Sequence, residues 1–441
     1  MLLWSKPTEK LYETPMVRKM AQETFEKFEG ENKENNFKQT EIGLIPEDWE
    51  VVRLEEIGKI ITGNTPSKRK KEYWENGEID FIKPPDFKNS YITTFSEKIS
   101  LKAKDKARIV PEKSILVSCI GIIGRVGYTL KPVAFNQQIN AIIPFSDKID
   151  NLFLFFALQT QVKQIESLKS VTTVPIVNKA KFSHVKIPFP PLEEQRKIAR
   201  VLDKIQQAIE LQDRIIEQAK NLKKSLMQKL FTEGLYGEEQ KEMEIGLIPK
   251  SWVVVRLGEV ATQRKEQTLP SGGKFKYVGL EHIESGETRI NRFDFDQNVK
   301  SLKYKFYEGD ILYGKLRPYL DKAVKAPFEG VCSTDIIVIQ ADEKKIVSDY
   351  LVNLMHLPTF VNYATSTMTG VNHPRTSWKA ISNFKIPLPP LPEQKQIAHI
   401  LSVVDEKIEV EQKRKQVLKE LFKTMLHKLM SGEIRLKEVE I

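Results

Sequence analysis

The sequence predicts an α+β protein built by tandem duplication, in which two long antiparallel coiled-coil helices separate two strand-rich domains. The first observation is that residues 41–54 return, nearly unchanged, as residues 244–257. The second is that a proline-rich segment, residues 186–195, returns as residues 385–394. The third is a heptad-like apolar stripe after each proline-rich segment. These anchors frame two halves whose interiors diverge, so the halves share a structure but carry different contents.

The first half begins with a polar, weakly patterned stretch, residues 1–38, which we predict to be a lead-in arm or short helix. Residues 39–189 contain short alternating or apolar runs separated by Gly, Pro and Asn turns. One helical segment, residues 151–158, interrupts them. This pattern predicts a mixed α+β domain rich in short strands.

A long helix follows the first domain, and we place it at residues 190–233. Prolines end the preceding sheet, and Glu193 and Glu194 lie in the first helical turn, where they suit the positive end of the helix dipole. Apolar residues recur every seven residues along it, and Gly234 and Gly237 end it.

The second half repeats this plan, with a domain at residues 234–388, a helix at residues 389–432 and a tail at residues 433–441. An isolated helix of this length would expose its apolar stripe, so each helix requires a partner, and the other helix is the nearest candidate. An antiparallel pair would place the domains at opposite ends, related by an approximate two-fold axis. In the alternative, each helix folds back on its own domain, but it would overhang a domain whose radius of gyration is roughly 15 Å.

The residues predicted to form the helix-pair interface are Ile198, Leu202, Ile205, Ile209, Ile216, Leu222, Ile397, Leu401, Val404, Ile408, Leu418, Leu421 and Met425.

The composition is that of a soluble protein with a basic charge balance. The net charge of +10 and pI near 9.1 suit a polyanionic partner, although net charge alone does not identify one. No apolar run reaches the 18 or more residues of a membrane span, and the first four residues are too short for a secretion signal. We therefore expect a cytoplasmic location.

Signatures of catalysis and metal binding are missing from the sequence. Cys119 and Cys332 lie in different halves without companion ligands, so we expect buried packing residues. The six histidines are scattered singly, and the patterns GxxxxGK[ST] and GxSxG are absent, as is a GxGxxG after a strand. We assign no catalytic residue, no metal ligand and no cofactor to this chain.

Basic and amide-rich loops in the first half are candidates for nucleic-acid contact. Residues 62–71 combine hydroxyl and amide side chains with four consecutive cations, which suit phosphate oxygens. Arg125 lies in a glycine-rich turn, and residues 135–138 carry amides suited to adenine. Solvated charged turns and ordinary strand-edge amides are the alternative interpretations. The candidates are Asn64, Thr65, Ser67, Lys68, Arg69, Lys70, Lys71, Arg125, Asn136, Gln137 and Gln138.

The second half offers a comparable surface. Residues 313–319 place two cations and two aromatic rings around a glycine, which suits contact with phosphate and a groove. The alternative for each cation is an ordinary surface charge. The candidates here are Arg264, Lys265, Lys274, Lys276, His282, Lys315, Arg317, Tyr319 and Arg375.

The repeated frame resembles the specificity subunit of type I restriction-modification systems. The opening "GxIPxxW" stands at residues 43–49 and 246–252, and "KIPxPPLxEQxxIAxxL" stands at residues 186–202 and 385–401. The resemblance covers nearly everything from about residue 40 to the C-terminus.

This resemblance implies a DNA-recognition subunit without catalysis of its own. Each domain would be a target-recognition domain that reads one half of a split, asymmetric site, and the helices would be a spacer and a docking surface. Two methyltransferase subunits would bring S-adenosylmethionine, and motor-nuclease subunits would bring ATP and Mg. Two rival functions remain open, a stand-alone bipartite DNA-binding regulator and a coiled-coil scaffold that ignores DNA.

Overall fold

The computed structural model describes residues 36–87, 90–93, 95–170, 174–298 and 301–436. Most of the predicted lead-in, residues 1–35, and residues 437–441 of the predicted tail lie outside this part. The chain forms two compact units, which we call unit 1 (Met1–Arg214 with Gln412–Ile441) and unit 2 (Ile215–Glu411). The domain boundaries drawn from the sequence stay a prediction.

The first half contains thirteen described strands, most of them two to five residues long. They are β1 (Phe37–Thr40), β2 (Gly43–Pro46), β3 (Glu50–Arg53), β4 (Gly58–Thr62), β5 (Ile79–Ile82), β6 (Tyr91–Ile92), β7 (Glu97–Ile99), β8 (Ile109–Val110), β9 (Ile115–Ser118), β10 (Val126–Thr129), β11 (Val133–Phe135), β12 (Ile139–Pro144) and β13 (Lys186–Phe189). The helices are α1 (Leu54–Ile57), α2 (Asn151–Thr160), α3 (Val162–Ser167), α4 (Lys179–Ser183) and α5 (Leu192–Thr232).

The second half contains the same number of described strands. They are β14 (Gln240–Met243), β15 (Gly246–Pro249), β16 (Val253–Arg256), β17 (Ala261–Arg264), β18 (Gln267–Thr268), β19 (Lys276–Val278), β20 (Asp294–Phe295), β21 (Lys303–Phe306), β22 (Ile311–Gly314), β23 (Ala323–Lys325), β24 (Gly330–Cys332), β25 (Ile336–Ala341) and β26 (Lys385–Leu388). The helices are α6 (Leu257–Val260), α7 (Ser348–Leu354), α8 (Pro358–Ser366), α9 (Trp378–Ile381) and α10 (Leu391–Met430).

Each unit is built on two larger sheets and two two-stranded pairs, one a hairpin and the other a pair of strands distant in sequence. Both larger sheets of unit 1 are mixed, whereas in unit 2 the four-stranded sheet is antiparallel and the five-stranded sheet is mixed. In unit 1 the sheets have the orders β4-β12-β9-β10-β6 and β7-β5-β11-β8. In unit 2 the orders are β17-β25-β22-β23 and β18-β21-β24-β19-β20. The run β4-β12-β9-β10 corresponds strand by strand to β17-β25-β22-β23, because β12 and β25 each pair antiparallel with the fourth strand of the half. The predicted duplicated α+β fold is confirmed.

The repeated sequence anchors meet in space within each unit. The buried indole of Trp49 donates to a carboxylate oxygen of Glu194 at 3.1 Å, and the buried indole of Trp252 donates to Glu393 at 2.9 Å. Buried polar groups are retained where they satisfy one another, since an unpaired buried group costs free energy. This hydrogen bond therefore explains why both halves contain a tryptophan after the Ile-Pro pair and a glutamate after the Pro-Pro pair.

This contact gives a stability prediction for unit 2. Replacing Glu393→Ala leaves the Trp252 indole and the Leu235 amide, which donates to the same carboxylate at 2.9 Å, without their acceptor. We expect a loss of about 3 kcal/mol in the free energy of unfolding of unit 2, measured by denaturant titration. Glu239→Ala is the matched control, because Glu239 is exposed and its pair with Lys250 lies at the surface. Equal stability of the two variants would contradict the prediction.

The two long helices have 41 and 40 residues, and each contributes one part to each unit. In unit 1, Ile198 and Leu202 share a core with Met425 and Leu429, and Asp213 pairs with Lys415. In unit 2, Leu230 shares a core with Ile397, and Lys223 pairs with Asp405 at 2.6 Å. As the residue number rises along α5, the number of the partner falls along α10. The helix segments are therefore antiparallel within each unit, as predicted.

The side chains predicted for the helix interface occupy three environments. Buried are Ile198, Leu202, Ile209, Ile397, Leu401, Ile408 and Met425, and partly buried are Ile205, Ile216, Val404, Leu418 and Leu421. Leu222 is 54% exposed, whereas the neighbouring Lys223 is buried by its ion pair with Asp405. The same apolar faces also contact the strands and short helices of each unit, so both predicted modes of packing occur together.

Two further expectations concern single side chains and membrane spans. Both cysteines are buried and unpaired, and burial raises the pKa of the Cys119 thiol to about 12. Such thiols are packing residues, because the reactive thiolate is disfavoured. No helix in the described part of the chain is both long enough and apolar enough to cross a membrane.

Candidate nucleic-acid interface

In unit 1, four loops that follow or precede the central strands meet at one edge, which we call the loop edge of unit 1. The backbone N–H of Asn64 donates to Phe135 at 3.0 Å, and that of Cys119 donates to Gln138 at 2.7 Å. Gly121 in turn donates to Pro175 at 3.1 Å. The loops at residues 63–71, 136–138, 119–125 and 174–178 are thereby held side by side.

Glycine is required where two of these loops cross. A Cβ atom at Gly63 would lie 2.1 Å from the carbonyl oxygen of Asn136 and 2.5 Å from that of Phe135. Any side chain at this position would push the loops apart. The sequence pattern Thr-Gly-Asn at the end of β4 is therefore a condition for assembling the edge.

The predicted amides of unit 1 divide into two groups. Asn136 is buried, and its amide exchanges hydrogen bonds with the side chain and backbone of Gln138. Asn64 accepts from the backbone N–H of Arg108 and donates to the carbonyl of Lys106, both at 2.7 Å. These amides hold the loops in place. Gln137 is exposed, and its oxygen accepts from Thr65 at 2.7 Å, so this pair is presented to solvent.

The predicted cations of residues 62–71, which we call the basic loop, differ in how many contacts they make with the rest of unit 1. Lys68 lies 2.6 Å from Glu97 and 3.6 Å above the centre of the Trp74 ring, and Lys70 lies above the Tyr73 ring. Burial raises the pKa of Glu97, but the hydrogen bonds from Lys68 and Lys83 outweigh this effect and keep the pKa below its ordinary value.

The remaining side chains of this loop, Arg69, Lys71 and Ser67, are exposed. The carbonyl of Ser67 accepts from the Trp74 indole at 3.2 Å, which folds the loop back on itself. Arg125 is also exposed and lines a recess of about 630 Å³ together with Phe87, Ser90 and Gln159. Its guanidinium lies 3.4 Å from the carbonyl oxygen of Pro84.

Unit 2 has an edge with the same backbone pattern, which we call the loop edge of unit 2. The backbone N–H of Lys315 donates to the carbonyl of Asp335 at 2.9 Å, and that of Arg317 donates to the carbonyl of Pro374 at 2.9 Å. The backbone N–H of Thr376 donates to the carbonyl of Lys315 at 3.0 Å. These bonds match those of Cys119 to Gln138, Gly121 to Pro175, and Val177 to Cys119. Isolated bridges repeat as well, Ile120 with Ile176 in unit 1 and Leu316 with Arg375 in unit 2. The backbone is thus equivalent although the side chains differ.

Three predicted side chains of unit 2 are committed to internal partners. Arg264 makes a two-point contact with Asp310 at 2.7 and 3.1 Å, and this hydrogen bonding raises its pKa. Arg375 contacts Asp335 at 2.7 Å, which raises its pKa in the same way. His282 is buried, and its Nδ1 accepts from the N–H of Gly279. These contacts hold the three side chains in place within unit 2.

The other predicted side chains of unit 2 are available to a ligand. Lys265, Lys274, Arg317 and Tyr319 are exposed, and Lys315 is half-buried. Lys276 lies 4.3 Å above the Phe328 ring. Lys315, Arg317 and Arg375 are brought together at the edge, and Lys274, Lys276 and His282 cluster around β19. Among the residues that the structure describes, no group of three or more His, Cys, Asp or Glu side chains could hold a metal ion.

Apolar side chains at both edges were missed by the sequence reasoning. Ile122 and Val174 project from the edge of unit 1, and Leu320 and Val371 from that of unit 2, with Val371 97% exposed. At each loop edge, two residues with positive φ flank a turn: Gly121 and Gly124 in unit 1, and Arg317 and Asp321 in unit 2. The paired glycines of the first half were a usable signal. Nothing local marks Arg317 as left-handed, because non-glycine residues rarely adopt that conformation.

Comparison with known proteins places these features in context. A family model described as "Type I restriction modification DNA specificity domain" matches residues 46–221 and again residues 249–420. The chain is 29% identical over 433 residues to the type I restriction enzyme MjaVIII specificity subunit of Methanocaldococcus jannaschii, covering 92% of this chain and 98% of the relative. It is 30% identical over 424 residues to the putative MjaX specificity subunit of the same organism, with the same coverage of both chains.

Similarity extends to a bacterial relative and to solved structures. The EcoDI specificity subunit of Escherichia coli is 26% identical over 381 residues, covering 80% of this chain and 81% of the relative. The crystal structure of a type I restriction-modification S subunit from M. genitalium has a TM-score of 0.60 at 19% identity, covering 91% of this chain and 97% of that one. The last likeness concerns the fold.

Proposed function

Because the chain belongs to the family of type I restriction-modification DNA specificity subunits, we propose that it reads a bipartite, asymmetric DNA sequence, one half-site with each loop edge. The target-recognition domains of this proposal are residues 39–189 and 234–388. The helices at residues 190–233 and 389–432 act as the spacer between them.

One observation carries this proposal: the two loop edges share a backbone but not their side chains. Gln138, Cys119 and Gly121 of unit 1 correspond through their hydrogen bonds to Asp335, Lys315 and Arg317 of unit 2. Base edges in the major groove are distinguished by their donors and acceptors. Two readers with the same construction and different polar groups therefore favour two different half-sites.

Exposed charge on both edges supports the choice of DNA as the ligand. Arg69 and Lys71 in unit 1 and Arg317 in unit 2 are exposed cations of the loop edges, and Lys265 and Lys274 are further exposed cations of unit 2. Phosphate contacts of this kind fix the register of a protein on the duplex, while amides and carboxylates discriminate bases.

The catalytic steps would come from partner subunits. We propose that two methyltransferase subunits bring S-adenosylmethionine and that motor-nuclease subunits bring ATP and Mg, with this chain supplying sequence recognition and docking. Each half-site contact alone is weak, and linking two makes the second contact intramolecular, which raises affinity without new contacts.

The direct test is to map methylated adenines after expressing the chain with its methyltransferase subunit in a host that lacks other adenine methylation. We expect methylation at one split sequence with a constant gap between its halves. A gel shift with and without the methyltransferase subunit separates the rivals. A stand-alone regulator would bind its site tightly alone, and a scaffold would bind no DNA at any salt concentration.

The exposed cations give a second prediction. The double variant Arg69→Ala and Lys71→Ala should weaken the binding of the complex to cognate and unrelated DNA by similar factors. The slope of log K against log salt concentration should fall by about 1 to 2. Fluorescence anisotropy across a salt series measures both quantities.

Two comparisons make this prediction specific. Gln137→Ala should instead weaken cognate binding alone, by about 1–3 kcal/mol, since an amide that reads a base edge carries sequence information. Lys59→Ala, an exposed cation at the other end of β4, is the matched control. An unchanged salt slope in the double variant would show that the basic loop is not part of the DNA interface.

A further inference from the structure

Two hairpins outside the loop edges carry an identical segment with one unexplained residue. Hairpin 1 (β1 and β2, residues 37–46) and hairpin 2 (β14 and β15, residues 240–249) both contain the sequence Glu-Ile-Gly-Leu-Ile-Pro. Their registers match, because Gln39 lies opposite Leu44 and Glu242 lies opposite Leu247. The roles of the six residues can therefore be compared position by position.

Internal contacts account for the charged residue and the glycine of the segment. Glu41 pairs with Lys186, and Glu244 pairs with Lys385, in each case joining the hairpin to the strand before the long helix. Gly43 and Gly246 have φ angles of 109° and 105°, which a residue with a side chain rarely adopts.

Internal contacts also account for the Ile-Pro pair. Ile45 and Ile248 are both buried. The carbonyls of Pro46 and Pro249 accept from the backbone N–H of Trp49 and Trp252, each at 3.0 Å. Ile42 packs against the core of unit 1, whereas Ile245 is 37% exposed.

The leucine has no such role in either hairpin. Leu44 is 59% exposed and Leu247 is 56% exposed, so neither contributes much buried apolar area to its unit. A β-branched or polar residue would serve equally in an exposed strand position. Folding therefore does not explain why the same exposed apolar side chain occurs at both places.

The charge around the hairpins disfavours nucleic acid as the ligand. Residues 37–48 carry three carboxylates and one lysine, and residues 240–251 carry two carboxylates and two lysines, so neither hairpin has an excess of positive charge. The ammonium groups of Lys38 and Lys241 are used internally, donating to the carbonyls of Glu47 and Lys250 at 2.8 Å each. An exposed apolar side chain with no excess of cations around it fits a protein surface better than phosphate.

We propose that Leu44 and Leu247 are matching anchors for two copies of one partner protein, each inserting into the same apolar recess on its copy. Two identical anchors fit two copies of one partner, because each copy presents the same recess. The loop edges differ from each other, so they suit two different half-sites. This inference rests on the proposed function, which identifies the partner as the methyltransferase subunit.

The test is native mass spectrometry of the complex of the full chain with its methyltransferase subunit. We expect two methyltransferase copies on the wild-type chain, one on Leu44→Asp, one on Leu247→Asp and none on the double variant. Isothermal titration should show at least a tenfold weaker affinity at each substituted site. Leu44→Thr and Leu247→Thr, which suit a strand, should show the same loss if the hairpin fold is intact.

Matched controls are Leu101→Asp and Leu269→Asp, since these leucines are 56% and 66% exposed but lie in the divergent interiors. They should leave two copies bound. A double hairpin variant that still binds two copies with unchanged affinity would overturn the anchors while leaving the proposed function standing. A wild-type chain that binds no methyltransferase subunit would overturn both, and loss of self-association in the double variant would assign the hairpins to a dimer of this chain instead.

Discussion

Truncation of the chain after Met430 is expected to destabilise unit 1 while unit 2 keeps its stability. The last described residues complete the first half of the protein, because Ile434 and Leu436 are buried in the core of unit 1. They follow α10, which begins after the second domain. A segment near the C-terminus of the sequence therefore closes the domain nearest the N-terminus.

Arg435 makes the strongest contacts of this segment. Its guanidinium donates to both oxygens of Glu194 at 2.7 Å each and to both oxygens of Asp48 at 2.9 Å each. Its side chain is 8% exposed and lies 5.3 Å from the centre of the Trp49 ring. The hydrogen bonds to Glu194 and Asp48 outweigh the effect of burial and raise the pKa of Arg435. Removing one partner of such a group leaves buried charge uncompensated.

We expect the truncation to cost about 4 kcal/mol, from lost apolar burial and the unpaired Glu194. Hydrogen exchange monitored by mass spectrometry should show exchange in β4, β9 and β12 accelerated by up to about a thousandfold, with β17, β22 and β25 unchanged. Arg435→Ala should reproduce most of the effect.

A truncation after Leu436 is the matched control, because it keeps all of these contacts. Equal acceleration in both units would contradict the assignment of the C-terminal segment to unit 1. If truncation after Met430 left the exchange rates of unit 1 at their wild-type values, the C-terminal segment would contribute nothing to the stability of that unit.

A matched insertion of four helix-forming residues in each long helix, after Arg214 in α5 and after Glu411 in α10, is expected to lengthen the gap between the two half-sites. Four helical residues add about 6 Å of rise, which corresponds to about two base pairs of B-DNA. The loop edges are unchanged, so the bases of each half-site should stay the same. Mapping methylated adenines genome-wide measures the half-sites and the gap together.

The ion pairs explain why both helices must be extended. Ten positions separate Asp213 from Lys223 in α5, and ten separate Asp405 from Lys415 in α10, while Asp213 pairs with Lys415 and Lys223 with Asp405. Extending both helices preserves the equal spacing. An insertion in α5 alone breaks it and should abolish methylation by misaligning the pairs. An unchanged gap in the doubly extended protein would refute the idea that helix length sets the spacer.

Much of the architecture was predictable because its signals are local and occur twice. The two long helices, Leu192–Thr232 and Leu391–Met430, were predictable because capping, proline and glycine signals act over a few residues. The repeated Trp and Pro-Pro-Leu anchors mark the frame of each half in the sequence itself. The structure adds that Trp49 and Trp252 meet Glu194 and Glu393, which explains why these anchors occur together.

The sequence indicated candidate contact residues but not which of them lie together. The loops at residues 63–71, 119–125 and 136–138 assemble at the loop edge of unit 1, whereas Lys274, Lys276 and His282 of unit 2 lie around β19. Which side chains remain available depends on competition for partners far apart in sequence, such as Arg264 with Asp310 and Arg375 with Asp335. Composition cannot rank such partners, because hydrogen bonding depends on distance and direction in space.

By itself the sequence determined the duplication and the alternation of strand-rich domains with long helices, because periodicity and turn chemistry are local properties of the sequence. The residues that contact DNA stay a prediction. Only the tertiary structure decided that Lys223 rather than Leu222 is buried in the helix pair and that Arg435 closes the first unit. Both outcomes depend on carboxylates more than 180 positions away in the chain, Asp405 and Glu194. Burial of a charged side chain is favourable only where folding brings an oppositely charged partner to it. A local sequence pattern does not indicate such a long-range contact.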